Sequence, residues 1–183
     1  TLGAPAEAMA AFERALTINE KALGREHPDL AVSLNNLAIL HRAAGELAEA
    51  RAFDERALAI RKKALGPDHP DVANTLNNLA TAHLAAGEHA EALALLAQAL
   101  AIRERALGPE HLDVAVGLQA LATVELALGD PEAATRLAGR ALAIFTASLG
   151  PADTSLAGPL ECLAGAALAA DRADEAVALA TRA

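Results

Sequence analysis

Two asparagine pairs, Asn35-Asn36 and Asn77-Asn78, close two nearly identical stretches, "EHPDLAVSLNNL" at 26–37 and "DHPDVANTLNNL" at 68–79. A primary carboxamide offers two N–H donors and an acceptor oxygen, the complement of a peptide backbone. A ladder of such amides can hold an extended chain without reading its side chains. Asn is a mediocre helix former and a buried amide must find partners. The competing role is therefore structural, with one Asn of each pair bonding the neighbouring helix or the preceding loop. At least one Asn per pair is expected to face a ligand, and Asn36 and Asn78 are the favoured members.

Other residues with chemical potential carry less. His27, His69 and His111 recur every 42 residues, with Asp153 in the next slot. Zinc needs ligand atoms roughly 2 Å from one ion, whereas equivalent helices one period apart are separated by more than one helix spacing of about 8–10 Å. These side chains are expected to cap and order a turn. His41 and His83 are expected to fill a gap between helices. Cys162 is the single cysteine, so no internal disulfide is possible, and no His follows His111 to act as its base. No Gly-x-Ser-x-Gly, phosphate-binding Gly-rich loop or HExxH motif occurs, so neither catalysis nor a cofactor or metal is expected.

The elements that must position the asparagines follow from a repeat. Gly45, Gly87 and Gly129 are 42 residues apart, Gly3 fits the same frame, and Asp171 takes the next slot. Leu34, Leu76, Leu118 and Leu160 share that period, as do Ala50, Ala92, Ala134 and Ala176, and Ile60, Ile102 and Ile144. Each period reads as two helices and two turns. The first helix follows "HPD", where His or Asp can cap free N–H groups and Pro is tolerated, and it runs to about Ala44. Leu34, Leu37 and Ala38 form its apolar stripe. The second helix, about 47–65, is expected to bury Ala50, Phe53, Ala57, Leu58, Ile60 and Leu65, and spans nearly 30 Å at ~1.5 Å per residue. The frame gives full units at 31–72, 73–114 and 115–156, flanked by half units at 1–30 and 157–183, in one array. A lone helix pair cannot bury both apolar faces, so the units stack as an all-α solenoid. Both terminal half units are then expected to expose apolar surface, which makes a homo-oligomer by end-to-end stacking an alternative to peptide binding.

Helical spacing from the asparagines puts Val32, Ile39, Asn74, Thr81, Leu84, Val116, Thr123 and Leu126 on the same face. Gln119-Ala120 and Glu161-Cys162 replace the Asn pairs in the later units, so the face becomes less polar along the array. Arg42 is the one cation placed near it.

Composition narrows the class. The 183 residues are 54% hydrophobic, mostly Ala and Leu, and only 2% aromatic, which favours an all-helical folded chain. A net charge of −9 with scattered Lys and Arg argues against nucleic acid and anionic membrane as partners. Every Ala/Leu run is interrupted by polar residues too soon to cross a bilayer. No Asn-x-Ser/Thr acceptor is present, and the expected location is cytoplasmic. The opening "TLGAPAEA" has neither an initiator Met nor a signal pattern, and reads as a piece of a longer chain.

The Leu-x-x-Leu-Ala spacing, the turn Gly and the paired Ala seven residues apart resemble the tetratricopeptide repeat (TPR). The stretch "ALAIRKKALGPDHPDVANTLNNLA", Ala57 to Ala80, is similar to the 42-residue units of the kinesin light chain type. The likeness covers the whole chain, and departs where the family places bulky aromatics in the first helix; here those sites hold Leu34, Leu76 and Leu118, and His41, His83 and Glu125. HEAT and armadillo repeats share the unit length but not this spacing. The resemblance implies a right-handed superhelix of helix-turn-helix units and a scaffold or adaptor that binds a protein, peptide or partner helix along the concave surface of the first helices. In the family, residues in the slots of Asn36 and Asn78 bond the bound peptide. The implied peptide-binding set is Asn35, Asn36, Ile39, Arg42, Asn74, Asn77, Asn78, Thr81, Leu84, Gln119 and Thr123. The carboxylate clamp of chaperone-binding relatives needs Lys and Arg where this chain has Val116 and Ala120, so an acidic tail is a poor ligand. In bacteria such arrays also serve as sensing halves of larger signalling proteins, and the Ala/Leu/Arg bias suits a GC-rich bacterial genome.

Overall fold

A computed structural model of the chain describes residues 3–183, with side chains from residue 7 onward. Thr1 and Leu2 of the opening half repeat lie outside the described residues. The described residues form α-helices and one short 3-10 turn, with no strand. They divide into two compact units, the first ending at Glu88 and the second spanning His89–Ala183. The first holds α1 (Gly3–Leu23), α2 (Leu30–Ala43), α3 (Leu47–Leu65) and α4 (Pro70–Ala85). The second holds α5 (His89–Leu107), α6 (Leu112–Leu128), α7 (Pro131–Leu149), a 3-10 turn at Thr154–Leu156, α8 (Ala157–Ala169) and α9 (Ala173–Ala180).

The helix ends follow local chemistry. His69 Nδ1 accepts from the Asp71 N–H at 3.1 Å, and His111 Nδ1 accepts from the Asp113 N–H at 3.1 Å. Each imidazole therefore satisfies one of the orphan donors of a helix start. His27 makes the looser version, to the Asp29 N–H at 3.3 Å, and Asp153 takes over with the Ser155 N–H at 2.9 Å. The periodic His is thus a cap. The tight turns within repeats use the left-handed backbone at Gly45, Gly87 and Gly129, with φ of +82°, +78° and +85°. Asp171 adopts φ +59° in the same slot, so the repeat frame imposes the turn even where the residue is not glycine.

In the first unit Leu30, Leu34, Leu37 and Ala57 are fully buried and pack with Leu16 and Ile60, while Met9 and Phe53 close the edge. In the second, Val114, Leu118, Ala141, Ile144, Phe145 and Leu160 form the equivalent core. Each fully buried Leu or Ile contributes about 1.5–3 kcal/mol by leaving water. Ala50, Ala57, Ala92, Ala99, Ala134 and Ala141 are all at 0% exposure, where any longer side chain would push helices apart. One expectation is corrected: Leu65 is 45% exposed. It is the last residue of α3, before Gly66, past the turn that holds the buried Ile60.

Within each unit the first and second helices of the repeats form separate layers. The backbones of α2 and α4 come within 8 Å, as do those of α6 and α8. Among the described residues those of α1 and α3 do not, nor do those of α5 and α7. The second helices are linked by long side chains instead: Arg56 of α3 to Glu20 and the Arg25 carbonyl, and Arg140 of α7 to Glu104 and the Pro109 carbonyl. The closer-set layer, α2 with α4 and α6 with α8, is the inner one in each unit.

Candidate functional site

On the inner layer of the first unit, Asn36 is exposed on α2, flanked by Val32 at 59% and Ile39 at 43% exposure. Isolated large apolar side chains at that exposure are ordinary, but these two bracket the amide at i−4 and i+3 on one helix face. On α4, Asn74 and Thr81 are exposed, and Asn77, Asn78 and Leu84 are half-buried. The Thr81 hydroxyl donates to the Asn77 carbonyl of its own helix at 2.9 Å, which leaves its methyl group to the surface.

Two expected members do not join this face. Asn35 is 6% exposed and its side-chain amide donates to Asp54 Oδ1 at 2.7 Å. Its role is the structural alternative: adjacent residues on a helix point about 100° apart, and in this pair Asn35 takes the inward direction while Asn36 stays exposed. Arg42 lies between α2 and α4, donating to the Asn78 carbonyl at 3.3 Å, with its guanidinium 4.0 Å from Asp54 Oδ2. Its side chain is only 20% exposed, so it is not an open cation on the face.

Asp54 is the residue that sequence reasoning missed. It sits at 0% exposure on α3. Burial pushes its carboxyl up to about 6, against the opposing pull of the Asn35 hydrogen bond and the charges of Arg42 and Arg61. Comparing slots within the chain would have found it: one and two periods on, the same position holds Leu96 and Ala138.

His41 and His83 fill their expected places. His41 is buried, stacks on Phe53 with ring centroids 5.0 Å apart, and bonds Glu46 at 2.6 Å. His83 bonds Glu88 at 2.6 Å, and Arg51 reaches the same carboxylate. The His83 hydrogen bond, helped by Arg51, holds the Glu88 carboxyl below its ordinary range.

In the second unit, Val116 is 52% exposed on α6 and Thr123 is exposed, its hydroxyl donating to the Gln119 carbonyl at 3.1 Å. Gln119, Thr123, Leu126, Gly158, Glu161 and Cys162 line an open hollow of about 260 Å³. The Gln119 carboxamide lies directly against Gly158, and Leu126 against Gly165, so the absence of side chains on α8 lets α6 approach closely. Cys162 is 7% exposed, packs with Ala122, Ala134, Ala138 and Ala166, and burial pushes its thiol up. Among the described residues no group of His, Cys, Asp and Glu is arranged to hold a metal, and no helix is long and apolar enough to cross a membrane.

Stacked helix pairs of one period, with paired small residues at the crossings and a set of outward amides on the inner layer, define a helical-repeat interaction domain. The chain belongs to the tetratricopeptide repeat family, whose sequence profile matches residues 1–63, 35–105 and 71–147. It is similar to the crystal structure of nearly identical TPR-like repeats of a Podosopora anserina protein provisionally assigned as a kinesin light chain. The two share 31% identity over 98% of this chain and 85% of that one, with a TM-score of 0.85. BtubC (BKLC) from P. vanneervenii is 26% identical over 98% of this chain and 72% of that one, with a TM-score of 0.86. MamA, at 16% identity over 100% of this chain and 88% of that one with a TM-score of 0.68, shares the fold. No curated protein sequence matches. The repeats are thus of the kinesin light chain-like kind, in a solenoid fold that generally serves protein–protein interaction.

Proposed function

We propose that the chain is an interaction module that holds an extended peptide or a partner helix on the inner face of α2 and α4. The amides of Asn36 and Asn78 bond the partner's backbone, and Val32, Ile39, Asn74, Thr81 and Leu84 complete the face. The observation that carries the reading is the split of the first Asn pair: Asn35 is bonded inside to Asp54, whereas Asn36 stays exposed between two exposed aliphatic side chains. Packing accounts for the first amide and leaves the second without a structural duty. Gln119 and Thr123 beside their hollow offer a less polar counterpart on α6.

A second reading, homo-oligomerisation through the terminal helices, is favoured by Ile18 of α1 at 66% and Val177 of α9 at 64% exposure. One experiment separates the two. Peptides are selected from a displayed random library against the chain and measured against an Asn36→Ala, Asn78→Ala double variant, with molar mass followed over a concentration series. Loss of peptide binding at unchanged mass supports the groove. Unchanged binding together with a concentration-dependent mass supports assembly and sinks the first reading.

A further inference from the structure

Asp54 and Arg42 form a pair that the repeat does not otherwise contain. The Arg42 slot holds Leu84 and Leu126 in the following repeats, and the Asp54 slot holds Leu96 and Ala138. Acid and base thus occur together in one repeat and are replaced together by apolar residues in the next two. An isolated charge at 0% exposure is costly, and Asp54 has a single hydrogen-bond donor, Asn35; its Oδ2 is buried without one and lies 4.0 Å from the Arg42 guanidinium. Arg42 is thereby drawn inward between α2 and α4, where it also meets the Asn78 carbonyl. The groups that act on Asp54 are Asn35 and Arg42 from α2 and Arg61 along α3, and Arg42 in turn reaches the Asn78 carbonyl of α4.

We propose that Asp54 determines the charge preference of the α2/α4 face: from beneath, it cancels and retracts Arg42, so the face takes a neutral extended peptide, and neutralising Asp54 turns it toward carboxylate-bearing ones. The inference rests on reading that face as the peptide site. It goes beyond that reading because the residue that sets the preference is buried and touches no ligand. Its carboxyl takes up a proton near pH 6, so the preference changes over mildly acidic pH in the wild-type chain.

The test uses an amide-capped peptide of alternating leucine and aspartate and its leucine–asparagine twin, titrated by NMR at the side-chain amides of Asn36 and Asn78. Asp54→Asn keeps the shape of the side chain, and Asp54→Leu, which copies the Leu96 slot, is the second variant should the first fold poorly. The wild type is expected to bind both peptides alike at about pH 7.5, and both variants to prefer the aspartate peptide by roughly threefold to tenfold. The wild type should acquire the same preference as pH falls toward about 5. Equal preference ratios in wild type and variants would overturn the inference. If neither peptide moves the Asn36 or Asn78 amides in any protein, the groove reading fails separately, and a peptide-free measurement decides the Asp54 pairing. Arg42 Nε–H and Asn78 backbone resonances that titrate in step with the Asp54 carboxyl carbon in wild type and stay flat in the variants support it; resonances indifferent to Asp54 overturn it.

Discussion

Replacing Asp54 by Asn should change how stability depends on pH, in a direction opposite to the usual carboxylate. The folded carboxyl lies at about 6 and its ordinary value is 3.8. Between those values the folded chain binds a proton that the unfolded chain has released. The stability contributed is therefore fully present below about 3.8 and is lost as pH rises through about 6. At about 1.4 kcal/mol per pKa unit the full effect is about 3 kcal/mol. About 2 kcal/mol of it falls between pH ~4.5 and ~7.5, a range easily reached by urea denaturation. Glu26, Glu88 and Asp153, whose carboxyls are held below their ordinary range, work the other way, and their contributions are lost at lower pH. They are common to both proteins and cancel in the difference. The unfolding free energy of the wild type minus that of Asp54→Asn should thus fall by about 2 kcal/mol from pH ~4.5 to ~7.5, whatever its offset. A flat difference would refute the buried, desolvated carboxylate. A difference that rises with pH would mean that the attraction to Arg42 and Arg61 outweighs burial.

Three further perturbations test the frame. His69→Ala removes the acceptor for the Asp71 N–H and should cost about 1 kcal/mol in urea unfolding, whereas His69→Asp, which copies the Asp153 cap, should recover most of it. Gly158→Ala places a methyl where the Gln119 carboxamide lies; it should cost about 1 kcal/mol, and Gln119→Ala in the same chain should cancel that cost in a double-mutant cycle. Asp171→Gly relieves a positive φ at an exposed turn and should raise stability by about 1 kcal/mol, read as an upward shift in Tm.

Most of the helix boundaries were legible because they are set by residues close in sequence. "HPD" fixes where α4 starts, and a left-handed Gly fixes where the first helix of a repeat stops. The buried stripe Leu34, Leu37 and Ala38 follows from a 3.6-residue period alone. The outward face of Val32, Asn36, Ile39, Asn74 and Thr81 was legible for the same reason. What escaped depends on a second helix. Asn35 bonds Asp54, nineteen residues away on α3, and Arg42 lies 4.0 Å from the same carboxylate. A helical wheel shows each as one polar residue among several. Leu65 was misjudged because periodicity assigns a side chain to a face without saying whether a neighbouring helix extends far enough to cover it.

The division between frame and exceptions bears on how a repeat chain acquires specificity. Positions that fix the backbone, such as Ala57, Ala99 and Ala141, stay the same because any larger side chain would separate the helices. Positions free of that constraint differ from repeat to repeat, and a polar residue placed at one of them inside the stack needs a partner. Asn35, Arg42 and Asp54 partner one another through a 2.7 Å hydrogen bond and a 4.0 Å charge contact; in the next repeat the acid and the base give way together to Leu96 and Leu84, while the amide recurs as Asn77. Arg61 with Thr75, joined at 2.5 Å, behaves differently: in the next repeat the arginine recurs as Arg103 while the Thr75 slot becomes Gly117, packed against Arg103 and Leu100. A residue with no access to solvent, Asp54, thus sits 4.0 Å from the guanidinium of Arg42, whose side chain is only 20% exposed beside the face above it.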